Sequence, residues 1–369
     1  MRKTVALAAL FAATLIAHAP SASAEDELVI GGGLVISGPS ASYGTDAAAG
    51  MDVAVAEINE RGGVLGRKIR IEYEDSAGDP ARGVAIYRKF AAQPDIVAAM
   101  SVTSMEFVAL NPVTETEKLP LVSIGSTIPM ESFSPYTFRT NLILDKSISS
   151  VLSKLKENGT KSIAILYDNS LNYAVSEMET VRKNVEDAGI ELAAVESFSG
   201  GEQNLTLQLT QIVQSKPDTI WVAGMTEGAS MAISQARGMG IDAKFIGGAG
   251  MNDPRIAEVG DAARGAMTYA LFNVNDDRSA VQAFVKRFKE MNGHAPSAYN
   301  ALGYDAMMIV ANALERAGKV DRETLREALS QTAEYAGVNG PFTYVGSGDN
   351  QSQSPQLLVL GVEGFAPLR

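Results

Sequence analysis

This 369-residue sequence predicts an α/β fold of two doubly wound lobes, each on a mainly parallel sheet, joined by a multi-strand hinge. Three features carry the expectation. Short apolar runs alternate with longer stripes of helical period, the pattern of repeated βα units. The length exceeds what a single hydrophobic core usually reaches, so a second core is required. The alternation stalls once, at 133–143, before a fresh βα series begins.

The N-terminus is read first. Arg2 and Lys3 precede the apolar run Val5–Ala17, and Ser21-Ala22-Ser23-Ala24 supplies the small residues of a cleavage site. These are the parts of a secretory signal peptide, placed at 1–24. The apolar run falls short of the roughly 20 residues that cross a bilayer. No Cys follows the small residues, so no lipid anchor is expected, and the expected location is the periplasm of a double-membraned bacterium.

In the first lobe, Leu28–Ile36 reads as a buried strand, Thr45–Arg61 as a helix stopped by Gly62-Gly63, and Ile69–Glu74 as the next strand. Asp79–Ala92 (helix), Asp95–Met100 (strand), Met105–Lys118 (helix) and Leu121–Ile124 (strand) continue the series. Ser134–Arg139 reads as a strand or connector that leaves the lobe. The second series has strands at Ser162–Tyr167, Glu191–Phe198, Thr219–Ala223 and Lys244–Ile246, with helices at Tyr173–Ala188, Leu205–Gln214 and Ser230–Met239. It closes near Tyr269–Asn273. Helical stripes at Ser279–Met291, Ser297–Ala317 and Arg322–Leu329, with strand-like Phe342–Val345 and Leu357–Val362, return the chain to the first lobe and the hinge. The division expected is 25–143 with 274–345 for lobe 1, and 144–273 with 346–369 for lobe 2 and the hinge return.

Composition narrows the chemistry. With no Cys, disulfides, thiol catalysis and Cys-based zinc sites are excluded. His18 lies in the signal, which leaves His294, in a turn at Asn292–Pro296, as the one imidazole beyond it. A His-dependent triad or a multi-His metal site is therefore not expected. Neither a phosphate loop nor a G-x-S-x-G elbow is present, and Gly31-Gly32-Gly33 lacks the third glycine of a dinucleotide fingerprint. Asp75 with Glu74 or Asp79 is the remaining catalytic possibility, and these sit as turn and capping residues. No enzyme, cofactor or metal is expected. The formal charge of −12 becomes −14 without Arg2 and Lys3, which disfavours nucleic acid and anionic membranes as partners.

Open parallel sheets bind ligands beyond the carboxyl ends of their strands, where helix N-termini present free amides. Three loops fall there: Ser37–Gly44 with its Tyr43, Ser101–Glu106, and Ser123–Thr127. Thr103 and Glu106 have capping-box spacing, an ordinary use for a hydroxyl before a helix. Two such loops side by side can also hold a carboxylate without Lys or Arg, because the helix terminus is itself partly positive.

At these residues the sequence resembles the leucine/isoleucine/valine-binding proteins, the type I periplasmic binding proteins of branched-chain amino acid ABC importers. The pieces are Ser37-Gly38-Pro39 with Tyr43-Gly44, Glu57-Ile58-Asn59 with Gly62-Gly63 and Gly66, Glu74-Asp75 before Asp79-Pro80, Gln235-Ala236-Arg237 before Gly240, and Tyr304-Asp305-Ala306. Their order and spacing carry the likeness from Glu25 to about Leu360. The resemblance implies a Venus-flytrap receptor, expected to be a monomer, whose closed form is recognised by permease subunits. It implies that a ligand carboxylate is held by Ser104, Gly125 and Thr127, with Ser126 in the same loop. Tyr43 would stand beside it, and Tyr173 would cover it on closure.

Two positions depart from the family pattern. The acid that pairs with a ligand ammonium falls on Ala249, and a further tyrosine on Met225. An unpaired ammonium costs several kcal/mol to bury. Two readings stay open: Glu227 or Asp253 takes over, or the ligand has no ammonium. Glu227 also has an ordinary reading as a solvated residue at a helix start. The expected ligand is a small carboxylate, an amino acid of the branched-chain type or a related compound, with an aromatic or keto acid as the alternative. A sensory role, reporting to a receptor in place of a permease, is the other alternative.

Overall fold

The computed structural model describes residues 27–368 apart from 129, 131, 354 and 363. The expected signal, 1–24, lies outside them. In chain order the first elements are β1 (Glu27–Leu34), α1 (Ala41–Glu60), β2 (Lys68–Asp75), α2 (Pro80–Ala91), β3 (Ile96–Ser101), α3 (Ser104–Glu117), β4 (Leu121–Ser123) and β5 (Thr137–Arg139). Next come α4 (Leu144–Glu157), β6 (Ser162–Asp168), α5 (Asn172–Asn184), β7 (Glu191–Phe198), α6 (Thr206–Gln214), β8 (Thr219–Ala223), α7 (Thr226–Gly238), β9 (Lys244–Gly247) and β10 (Met267–Ala270). The chain ends with α8 (Ser279–Asn292), α9 (Ala298–Ala317), α10 (Arg322–Ser330), β11 (Tyr335–Gly337), β12 (Gly340–Phe342), β13 (Gln356–Gly361) and β14 (Gly364–Pro367).

The first sheet runs β2-β1-β3-β4-β5 and is parallel throughout. The second runs β14-β13-β10-β9-β8-β6-β7. It is parallel from β10 to β7, with β13 and β14 antiparallel at one edge. The expected fold class, two doubly wound lobes with mainly parallel sheets, is what the chain adopts.

Each sheet is buried on both faces, as βα crossovers require. Along β6, Ile163 and Ile165 join one core with Ile148 and Leu152 of α4 and Val181 of α5. Ala164 and Leu166 join another with Leu209 of α6 and Ile233 of α7. That split is the period-2 alternation of a strand read directly from sequence. On the first sheet, Leu28 and Ile30 pack with Met51 and Ile58 of α1 and with Leu302 and Val310 of α9, so the C-terminal helices complete the lobe begun at residue 27. Each such side chain contributes roughly 1.5–3 kcal/mol.

The chain crosses between the sheets at 140–143, 271–278 and 343–355. The first and third crossings are tied together. The fully buried Arg139 donates through Nε and Nη2 to Asp349 at 2.6 and 2.8 Å, its backbone N–H donates to the Gly348 carbonyl, and the Ile143 N–H donates to Gln353 Oε1.

Some expected elements shift. α1 begins at Ala41, so Tyr43 lies in its first turn instead of in a loop; a stack on Tyr299 holds that turn against the weak helix preference of the Ser-Ala-Ser-Tyr-Gly segment. α7 begins at Thr226, before the expected Ser230, and α5 ends at Asn184, short of Ala188. The strand expected at Phe342–Val345 lies earlier: β12 ends at Phe342, where that expectation began, and pairs with β11 in a hairpin, while 343–345 are not strand.

Candidate ligand-binding site

A cavity of about 190 Å³ lies between the lobes. That is the space of roughly six waters. Tyr43, Ser104, Gly125, Thr127 and Tyr299 wall it from the first lobe, and Leu171, Tyr173, Glu177 and Tyr269 from the second.

The first-lobe wall is assembled at the carboxyl ends of β3 and β4. Thr103 and Glu106 form the expected capping box of α3, which commits the Thr103 hydroxyl to the helix and leaves Ser104 as its first residue. Ser104 and Thr127 are each 7% exposed and open onto the cavity. Between the loops, a Cβ on Gly125 would collide with the Val102 carbonyl oxygen and stand 3.0 Å from the Tyr299 ring. Only glycine lets the two loops approach this closely. Asn141 Nδ2 donates to the Gly125 carbonyl at 3.0 Å and holds the loop. Ser126 is fully buried and does not line the cavity, as alternation along an extended segment dictates.

The cleft is shut by aromatic rings. Tyr43 stacks on Tyr299, with centroids 4.3 Å apart, and meets Tyr173 edge-on at 6.2 Å. The Tyr43 and Tyr173 hydroxyls, one from each lobe, are 3.3 Å apart. Burial pushes the Tyr43, Tyr173, Tyr269 and Tyr299 phenols above their ordinary pKa, so all four stay neutral.

The second lobe brings a residue that sequence reasoning missed. Glu177, one turn beyond Tyr173 on α5, is 2% exposed and lines the cavity. Its Oε1 accepts from Trp221 Nε1 at 2.9 Å and from the Tyr269 hydroxyl at 2.8 Å, and the Gly248 N–H donates to the same carboxylate. Desolvation outweighs these donors and pushes its pKa up to about 7. A Cβ on Gly248 would stand 2.8 Å from Oε1 and 2.9 Å from the Tyr269 hydroxyl. The missing side chain at Gly248 is what admits the carboxylate.

The two acids proposed to stand in for Ala249 are committed elsewhere. Arg255 clamps Asp253 through Nε and Nη2, at 3.0 and 2.6 Å, and reaches the exposed Glu227 at 3.1 Å. Asp253 also caps the turn that follows it. Neither wall of the cavity includes them, and the Arg255 guanidinium holds both by charge-assisted hydrogen bonds. Met225 is the half-buried residue before α7 and does not line the cavity either. Ala249 opens a 3₁₀ turn at Ala249–Met251, and its side chain lies outside the described residues. Asp75, the catalytic alternative, accepts from the Ile36, Ser37 and Ala77 amides and the Ser37 hydroxyl, so it is a turn residue.

A sequence model of the family described as "Periplasmic binding protein" matches residues 27–362. The chain belongs to this family. A leucine-, isoleucine-, valine-, threonine-, and alanine-binding protein of Pseudomonas aeruginosa is 29% identical to this periplasmic binding protein over 332 residues, 88% of each chain. A leucine binding protein from Thermotoga maritima has the same fold, with a TM-score of 0.82 at 24% identity, covering 93% of this chain and 98% of that one. So does a solute binding protein from R. palustris in complex with benzoate, with a TM-score of 0.82 at 21% identity, covering 93% and 95%. The resemblance read from the sequence is borne out. Members of the family are substrate-binding proteins, and no helix among the described residues of this one is long and apolar enough to cross a membrane.

Proposed function

We propose that this periplasmic binding protein captures a small carboxylate, an amino acid of the branched-chain type, and delivers it to the permease subunits of an ABC importer. It acts as a monomer in the periplasm after its signal at 1–24 is removed, without catalysis. We take its lobes to be 25–143 with 274–345 and 144–273 with 346–369.

The observation that carries the reading is the cavity between the lobes, where Ser104, Gly125 and Thr127 stand on the first lobe among leucine and tyrosine side chains. Ser104 at the start of α3, the Gly125 segment and Thr127 offer hydroxyl and amide donors to a carboxylate, where a helix N-terminus adds partial positive charge. Leu142, Leu144 and Leu171 offer an aliphatic side chain its surface. The Pseudomonas relative, named for binding such amino acids, supports the choice. Closure is stabilised by what the ligand touches on both lobes at once.

A second reading is an aromatic or keto acid. Four tyrosines wall the cavity, and the R. palustris relative was solved with benzoate. Both readings share the carboxylate end, which the double variant Ser104→Ala/Thr127→Ala tests. Hydrogen bonds to a charged group are worth about 1.5–3 kcal/mol each, so calorimetry should find binding weakened about 100-fold or more. Unchanged affinity would reject this assignment.

A further inference from the structure

We infer that Glu177 is the specificity-determining residue of the second lobe: its carboxylate receives the ammonium of an amino-acid ligand and gives up a proton as that ligand seats. This rests on the carboxylate-capture reading above and adds what holds the ligand's second charged group.

Geometry comes first. The space just beyond β9 is entered from α5: Glu177 reaches under Gly248 and is fixed there by Trp221 on β8 and Tyr269 on β10. Both side-chain donors fall on Oε1, so beside the Gly248 amide the carboxylate keeps acceptor capacity on Oε2 for a donor from the ligand. Ser104 and Thr127 stand on the opposite lobe of the same cavity. An α-amino acid carries its carboxylate and its ammonium on one carbon, and lodged between the two walls it can turn the first toward Ser104 and Thr127 and the second toward Glu177.

Charge comes second. Among the described residues no Lys, Arg or His lines the cavity. The groups facing Glu177 are Tyr173 on its own helix, Tyr269 on β10, Tyr299 on α9 and Tyr43 on α1, all neutral, with Asp168 at the end of β6 adding negative charge near Tyr173. An ionised Glu177 has no protein cation in the cavity lining among the described residues, and burial favours its protonated form below about pH 7. An ammonium at contact distance reverses that preference. The proton goes to solvent, and the cavity then holds a carboxylate–ammonium pair.

The sign of the linkage follows. Below pH 7, binding an amino acid releases up to one proton, so affinity rises with pH, by up to tenfold per unit, and levels off above about 7. A ligand with a carboxylate and no ammonium gains nothing from that rise.

The test is titration calorimetry of the mature protein with leucine, valine and phenylalanine and with the 2-oxo acid corresponding to each. It spans pH 5.5 to 8.5 in two buffers of different ionisation enthalpy. The expected result is proton release with at least one amino acid below pH 7. In Glu177→Gln that amino acid should bind about 100-fold or more weakly, while its 2-oxo acid should bind as to wild type. Tyr269→Phe, which removes one donor to the carboxylate, should move the midpoint of the pH dependence upward, and it serves even if the Gln variant does not fold. Amino-acid binding without proton release, and unaltered in Glu177→Gln, would overturn the role of Glu177 and leave carboxylate capture standing. So would a wild-type protein that binds 2-oxo acids but no amino acid. Failure to bind any of these probes would overturn both.

Discussion

At the scale of single residues, the site depends on two places where a side chain is missing. Gly125 lets the loops after β3 and β4 close on one another, and Gly248 leaves the room that Glu177 fills. Gly125→Ala must push the Val102 carbonyl or the Tyr299 ring aside. We expect amino-acid affinity to fall at least about tenfold, because the amide at 125 and the Thr127 hydroxyl move with the loop, with a smaller loss of thermal stability; overpacking typically costs about 1–3 kcal/mol. Calorimetry beside thermal unfolding separates the two effects, and a variant that binds normally would contradict the role given to this loop. The loops of this wall were legible in the sequence because they follow apolar strands, and the family resemblance pointed within them to Ser104, Gly125 and Thr127. Glu177 was not, because an acid in a helical stripe reads as solvent-facing. Its burial is imposed by Trp221, Gly248 and Tyr269, which lie far along the chain. One local signal pointed to it: residues four apart share a helix face, so Tyr173 and Glu177 face the same way.

At the scale of elements, α9 does more than cover the first sheet. Ser297 and Asn300 form a capping box at its start, which sets Tyr299 into the cavity wall. Farther along, the buried Asp305 accepts from the Val338 and Asn339 amides at 2.9 and 2.8 Å and from Asn339 Nδ2 at 2.7 Å, which fastens the β11–β12 hairpin to the helix. Asp305→Ala strands those three donors and should destabilise the protein by roughly 3 kcal/mol. Hydrogen exchange should show residues 335–342 opening first, and uniform protection across the hairpin would contradict the role of Asp305 as its anchor. Strands were read more closely than helix ends: β7 and β8 match the expected bounds, whereas α1, α5 and α7 are displaced where tertiary contacts override local preference. α4 was not anticipated, although Leu144, Ile148, Val151, Leu152 and Leu155 repeat at helical spacing along it. β14 is a short C-terminal strand paired antiparallel to β13, too brief to show a period.

At the scale of the whole molecule, three crossings and one cleft define the device. The Arg139–Asp349 pair, with the guanidinium wholly buried, ties the first crossing to the third. Tyr43 and Tyr173 meet across the cleft, so the structure is that of the closed form. In a closed form the ligand binds the folded protein alone, and its affinity is read as added stability. The most direct measurement is therefore thermal unfolding of the purified mature protein against branched-chain amino acids, their 2-oxo acids and benzoate. The account predicts that leucine, isoleucine or valine raises the midpoint; a ligand present at about 100 times its Kd adds about 2.7 kcal/mol. An unfolding midpoint that none of the three amino acids moves, whether or not benzoate or a 2-oxo acid does, would contradict it.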